Sequence, residues 1–154
     1  MTNAHSVTHA TFVIERTYGV SPTRVFAAWA HPEAKAQWFP KPDEFDFRVG
    51  GREFNRSSYE GAIYTYDAHY QDIVPDQRIV YTYIMDRDET RISISVTTVE
   101  FKPAGPGTRL IYTEQGAFLD GEDKPEYREH GTKVLLDALD VALQRELMPD
   151  ERKP

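Results

Sequence analysis

The stretch EYREHGTKVLLDALDVALQRELM, residues 126–148, predicts the longest helix of the chain and decides the architecture around it. Its apolar residues recur every three or four positions, which places their side chains on one face of a helix. These residues are Val134, Leu135, Ala138, Leu139, Ala142 and Leu143. A helix of about 20 residues with so broad an apolar face needs a wide surface to cover it. Gly131 lowers the helix propensity, and we expect it to let a strand approach closely.

The sequence before this helix alternates apolar and polar residues between short turns, which is typical of antiparallel strands. The predicted strands are residues 11–18, 45–49, 52–59, 62–74, 78–85, 91–101 and 108–118. Two short helices follow the first strand. Ser21-Pro22 opens one of them, and residues 33–38 form the other. The prediction is therefore an α+β fold, in which a curved antiparallel sheet of about seven strands wraps around the C-terminal helix.

Length and patterning predict one domain over residues 11–148, with flexible tails at residues 1–10 and 149–154. The first ten residues contain no apolar run, so they predict neither a signal peptide nor a membrane span. Without such a segment, a cytoplasmic location is the default expectation.

Net charge, cysteine content and histidine positions exclude several classes of partner and of chemistry. The net charge of -7 argues against partners such as nucleic acid or an anionic membrane, which favour clustered Lys and Arg. The chain has no cysteine, which excludes disulfides and thiol nucleophiles. The five histidines are scattered along the sequence, so they predict no metal site. No motif for a nucleotide or other cofactor is present.

A stripe of tyrosines is the sharpest functional feature. Six of them share one face of the sheet if the strands stay in phase: Tyr64, Tyr66, Tyr70, Tyr81, Tyr83 and Tyr112. A buried phenol needs a hydrogen-bond partner, so a purely structural core usually prefers Leu, Ile and Phe. We interpret the stripe as the wall of a ligand cavity, with a solid core of mutually bonded phenols as the alternative.

Glu114 lies on the last strand with the same parity as Tyr112, so its carboxylate is predicted to point inward. Arg56 shares a parity with Phe54, and we predict that it pairs with Glu114. A structural ion pair is the favoured interpretation, and a general acid or base is the alternative. The predicted ligand-binding residues, besides the six tyrosines, are Trp38, Phe54, Arg56, Met85, Glu114, Leu135 and Leu139.

Several short motifs occur in a familiar order along the chain. They include VFAAW (25–29), GGREF (50–54), YQDIVP (70–75), GTRL (107–110) and TEQGAFLDG (113–121). In this order, over about residues 11–147, they resemble the START-like (SRPBCC) superfamily, in the branch named after the activator of the heat-shock protein 90 ATPase. The resemblance implies a helix-grip fold with a cavity between sheet and helix, and it implies no common cofactor or catalytic set.

Three functions follow from these expectations. The favoured one is binding of a small apolar or aromatic molecule between the sheet and the C-terminal helix. The second, implied by the resemblance to polyketide cyclase-like proteins, is a cyclase or hydrolase that uses Glu114 for acid–base chemistry. The third is an interaction with a chaperone in a stress response. The pattern leaves open whether the sheet edges pair in a homodimer.

Overall fold

The computed structural model describes residues 4–146 and shows one antiparallel sheet packed against a long helix. The sheet strands are β1 (Val7–Tyr18), β2 (Glu44–Phe45), β3 (Arg52–Tyr59), β4 (Ala62–Val74), β5 (Arg78–Arg87), β6 (Thr90–Ala104) and β7 (Gly107–Leu119). Their order is β1-β7-β6-β5-β4-β3-β2. The helices are α1 (Pro22–Ala30), α2 (Pro32–Lys35) and α3 (Pro125–Glu146). The predicted α+β helix-grip fold, with seven strands in the described residues, is confirmed.

Turn chemistry explains the consecutive pairing of β3 to β7. The two residues between β3 and β4, Glu60 and Gly61, have φ values of 49° and 83°. Positive φ at both positions gives the tight hairpin turn whose twist matches that of the flanking strands. The first strand pairs differently. β1 forms the edge of the sheet and pairs with β7, the last strand, with Ile14 opposite Tyr112.

The core lies between the inner face of the sheet and the helices. On α3 its buried leucines are Leu136, Leu139 and Leu143, which recur at three- and four-residue spacing. Tyr18 joins helix and sheet, because its hydroxyl donates to the backbone oxygen of Leu136 at 3.0 Å. Predicted residues Ala142 and, in part, Leu135 and Ala138 belong to this face.

Two expectations for α3 are wrong. Val134 is 53% exposed, and Leu136 occupies the core instead, because the buried face is shifted toward Leu136 while it still includes Leu139, Ala142 and Leu143. No strand of the described residues approaches Gly131, since a Cβ built there meets nothing within 4 Å. The predicted helix end at Met148 and the tail at 149–154 lie outside the described residues.

Three predicted boundaries also differ. Strand β1 begins at Val7, because residues 7–10, predicted as tail, pair with the end of β7. Strand β2 covers only Glu44–Phe45, although Phe47 still packs into the core. Helix α2 ends at Lys35, before the predicted end at residue 38. Each difference comes from tertiary pairing or packing that a local pattern does not contain.

Candidate functional site

A pocket of about 910 Å³ lies between the inner face of the sheet and the first half of α3. On the sheet side it is lined by Tyr64, Tyr66, Tyr81, Tyr83, Met85, Ile92 and Tyr112. On the helix side it is lined by Tyr127, Arg128, His130, Gly131, Thr132 and Leu135, with Asp123 just before the helix. We call this space the phenol pocket. Its volume lies within the usual range for small-molecule sites.

Strand register brings the phenols together. Tyr66 on β4 and Tyr83 on β5 point inward from neighbouring strands, and their ring centroids lie 4.9 Å apart. Tyr81 packs beside Tyr83, and its hydroxyl lies 3.5 Å from that of Tyr112 on β7. These four side chains are all less than 9% exposed. Alternation along each strand therefore does place tyrosines on one inner face, as their parity predicted.

Burial keeps these phenols neutral. The pKa values of Tyr66, Tyr81, Tyr83 and Tyr112 are raised, chiefly because burial removes the phenols from water. For Tyr83 the neighbouring Glu114 carboxylate raises the pKa further, because a second negative charge beside it is unfavourable. The pocket wall consequently carries hydroxyl groups that donate and accept hydrogen bonds without adding charge.

A network around Glu114 forms the floor beneath the pocket. Glu114 is 1% exposed. Its Oε2 accepts hydrogen bonds from Tyr83 Oη at 2.7 Å, Ser95 Oγ at 3.0 Å and Arg128 Nη1 at 3.3 Å. Its Oε1 accepts one from Tyr112 Oη at 3.2 Å. The carboxylate is therefore held by four donors from two neighbouring strands, its own strand and α3.

Arg128 connects the helix to this network. Its Nη1 donates to Tyr83 Oη at 2.8 Å, while Nη2 donates to Ser93 Oγ at 2.7 Å and Asp123 Oδ2 at 3.0 Å. Burial works against its charge, but the interactions with Tyr83, Glu114 and Asp123 outweigh burial, so its pKa is raised. The guanidinium stays charged, and both of its terminal nitrogens are hydrogen-bonded to the protein.

The predicted partner of Glu114 is wrong. Arg56 points to the opposite face of β3, where its Nε donates to Asp43 Oδ2 at 3.3 Å. Phe54 lies on that same outer face, between the guanidinium groups of Arg52 and Arg56. The assumption that the aromatic Phe54 points inward caused the error. The inner face of β3 instead carries Glu53, Asn55 and Ser57.

Other predicted site residues lie beside the pocket or deeper in the core. Trp38 donates from Nε1 to the backbone oxygen of Ala28 at 3.0 Å. Tyr70 donates to Glu53 Oε1 at 2.6 Å, and Leu139 is fully buried in the core. The predicted residues that line the pocket are Tyr64, Tyr66, Tyr81, Tyr83, Met85, Tyr112 and Leu135. Glu114 lies beneath them.

The polar pocket residues that were missed are Asn55, Ser57, Asp123, Arg128, His130 and Thr132, and two of them matter most for the chemistry of the site. Arg128 lies four residues before the buried Thr132 and eight before Leu136, so the phase of the helix could have placed it on the inner face. Asn55 lines the other end of the pocket, near Phe39 and Pro40. Its inward direction follows from the same parity as Glu53, which the sequence alone did not identify as buried.

The described residues also bear on metals and membranes. Within residues 4–146, no group of three or more His, Asp or Glu side chains is placed to hold a metal ion. No helix in this range has both the length and the apolar character needed to cross a membrane.

Comparison with known proteins identifies the family and agrees with the fold. The model of a family described as activator of Hsp90 ATPase homolog 1-like protein matches residues 19–144. The solved structure of the Mll3558 protein from Rhizobium loti is 53% identical, with a TM-score of 0.85, over 89% of this chain and 99% of that chain. An uncharacterized protein from Rhizobium leguminosarum is 47% identical, with a TM-score of 0.87, over 92% and 99%.

More distant structures share the fold. CalU16 from Micromonospora echinospora is 19% identical, with a TM-score of 0.67, over 94% of this chain and 89% of that chain. At this identity the likeness concerns the fold alone. No curated protein matches the chain significantly.

Proposed function

The chain belongs to the family of activator of Hsp90 ATPase homolog 1-like proteins, whose fold is compatible with ligand binding, and we propose that it binds a small apolar or aromatic molecule in the phenol pocket. The carrying observation is the space of about 910 Å³ bounded by four buried phenols and α3. Such a wall combines apolar area, which gives affinity, with a few hydroxyl groups, which orient the ligand.

The two walls of the pocket differ in a way that suits a flat ligand. The sheet wall presents the rings of Tyr66, Tyr81 and Tyr83, which pack beside one another and give this side of the pocket an aromatic lining. The helix wall presents Leu135 together with Gly131, which has no side chain. An aromatic molecule between these walls would cover apolar surface on both of its faces.

The geometry favours binding over acid–base catalysis. Three donors already converge on Oε2 of Glu114, and a fourth bonds Oε1. The carboxylate is thus used to hold Tyr83, Ser95, Tyr112 and Arg128 in place. The pKa values of the Tyr83 and Tyr112 phenols are raised, so these groups stay protonated at neutral pH and supply no phenolate base. These contacts support a structural role for Glu114, which forms an ion pair with Arg128 and shapes the pocket.

Native mass spectrometry tests this function. Protein purified from its natural host is expected to retain a small molecule that is lost on denaturation. Equilibrium dialysis with fluorene, an apolar three-ring probe, measures the affinity of the pocket in the wild type and in variants. Gly131→Trp fills the pocket mouth and should weaken fluorene binding at least about tenfold, a loss of about 1.4 kcal/mol. Gly131→Ala adds only one methyl group and should bind nearly as the wild type does.

The proposal fails if fluorene does not bind, or if folded Gly131→Trp protein binds it as tightly as the wild type. A second variant, Leu135→Trp, places a bulky ring on the same helix wall. It should weaken binding in the same direction.

A further inference from the structure

Asn55 presents a polar group that the protein leaves unused at one end of the phenol pocket. The residue is 3% exposed and lines the pocket. Its Nδ2 has no hydrogen-bond partner among the residues that the structure describes. A buried amide nitrogen without a partner is unfavourable, because it has lost its hydrogen bonds to water without replacing them. Such a group in a pocket wall is satisfied when a ligand supplies an acceptor.

Asn55 lies among aromatic residues of the pocket wall. Asn55 on β3 lies opposite Tyr66 on β4. The ring of Tyr66 packs against that of Phe39, with the two ring centroids 5.4 Å apart. Phe39 and Tyr66 both line the pocket, so Asn55 is bordered by aromatic surface there. Rotation about its Cβ–Cγ bond by 180° exchanges the amide nitrogen and oxygen without moving the backbone. The NH₂ group can therefore be turned toward a ligand that fills the space.

The charged end of the pocket makes an anionic ligand unfavourable. Arg128 is the cation of the Glu114 network, and its two terminal nitrogens already donate to Tyr83, Glu114, Ser93 and Asp123. One guanidinium therefore faces two carboxylates, Glu114 and Asp123, both on the protein. A negatively charged ligand would therefore be repelled by the excess of carboxylate charge and would find no free cation to pair with.

We propose that the phenol pocket selects uncharged aromatic molecules that carry a hydrogen-bond acceptor oxygen, and that the Asn55 amide donates to this oxygen. The inference deepens the proposed function and rests on it. Asn55 is a specificity-determining residue in this view, since the aromatic walls accept many flat molecules and the amide distinguishes among them.

Two probes of nearly the same shape test the role of Asn55. Fluorene and 9-fluorenone share a three-ring skeleton, and 9-fluorenone adds a carbonyl oxygen. Equilibrium dialysis of the full chain should show 9-fluorenone bound about threefold to tenfold more tightly than fluorene, as expected for one added hydrogen bond. In Asn55→Leu this ratio should fall to about one, and the ratio is the readout because the change in the wall affects both probes alike.

A charged probe tests the second half of the proposal. The anion 9-fluorenone-4-carboxylate should bind at least about tenfold more weakly than 9-fluorenone at neutral pH. Asn55→Asp offers a second variant of almost the same shape in case Asn55→Leu folds poorly. It replaces the amide donor by a carboxylate, so it should also remove the advantage of 9-fluorenone.

The outcomes separate the two proposals. If both neutral probes bind with equal affinity to the wild type, or if the advantage of 9-fluorenone survives in folded Asn55→Leu or Asn55→Asp, the inference is overturned and pocket binding stands. Tighter binding of the carboxylate overturns the selection for uncharged ligands. If the wild type binds none of the probes, both proposals are overturned.

Discussion

Arg128 at the start of α3 and Glu114 in the centre of β7 form a buried ion pair, with Nη1 3.3 Å from Oε2. The two side chains are 10% and 1% exposed. The contact joins the long helix to the sheet at the floor of the phenol pocket. Four donors bind the Glu114 carboxylate, and Arg128 has three further acceptors, Tyr83, Ser93 and Asp123. Hydrogen bonding of both charges is the condition under which a buried pair is stable.

Removal of one partner of this pair should be costly. Arg128→Met leaves the Glu114 charge buried without its cation, and we expect the free energy of unfolding to fall by about 3–5 kcal/mol. The double variant Arg128→Met/Glu114→Gln should lose less than the sum of the two single changes, because neither charge remains unpaired. Urea denaturation measures all three proteins. Additive losses would show that the pair is not coupled.

Arg56→Ala is the matched surface control. Its ion pair with Asp43 lies on the outer face, with the two side chains 62% and 51% exposed. Exposed pairs of this kind contribute about 0–1 kcal/mol. We expect a small loss of stability and unchanged fluorene binding. A large loss of probe affinity in Arg56→Ala would contradict the outward placement of this side chain.

A second buried ion pair anchors α2 to β3. Lys35 Nζ lies 2.7 Å from Glu53 Oε1, and both side chains are at most 3% exposed. Lys35→Met should lower the free energy of unfolding by about 3–5 kcal/mol, because Glu53 keeps only its bond from Tyr70. Lys35→Met/Glu53→Gln should recover most of this loss. Chemical denaturation that shows the single variant as stable as the wild type would contradict the prediction.

Gly131→Ala should stabilise the protein. Gly131 lies inside α3, and a Cβ built there meets nothing within 4 Å. Alanine favours the helix over glycine by about 0.5–1 kcal/mol, partly because it restricts the unfolded chain. The midpoint of urea denaturation should rise accordingly. A lower midpoint would mean that the added methyl group disturbs a contact at the pocket mouth.

Stability should fall in alkaline solution. The unfolded phenols ionise near pH 10, whereas the pKa values of the buried phenols of Tyr66, Tyr70, Tyr81, Tyr83 and Tyr112 are raised, chiefly by burial. Above about pH 10 the unfolded chain therefore binds fewer protons than the native protein, and the free energy of unfolding decreases as pH rises. Each phenol contributes about 1.4 kcal/mol per pH unit in this range.

Two measurements check the alkaline effect. Urea denaturation between about pH 9 and pH 11 gives the slope, and tyrosinate absorbance reports ionisation. Lys35 acts in the opposite direction, because burial lowers its pKa, but a single lysine is outweighed by five phenols. Ionisation of the buried phenols before unfolding would contradict the prediction.

The sequence by itself determined where most strands lie along the chain, the long helix and the inward stripe of tyrosines. Each of these depends on a local period, two residues for a strand and 3.6 for a helix, which side chains such as Tyr81 and Tyr83 carry whatever their partners are. Tyr112 and Glu114 were placed inward by the same reasoning. The motif order along the chain likewise identified the family without any knowledge of contacts.

Tertiary structure alone decided which residues meet. Parity leaves two choices for each strand, and Phe54 suggested the wrong one for β3, because its ring is covered by arginines on the outer face. The inner face instead holds Glu53, which is paired with Lys35 from a distant helix, and Asn55, whose Nδ2 has no hydrogen-bond partner among the described residues. Arg128 reaches Glu114 only because α3 crosses the sheet at that point. Partners distant in sequence are selected by the packing of whole elements, which no local period contains.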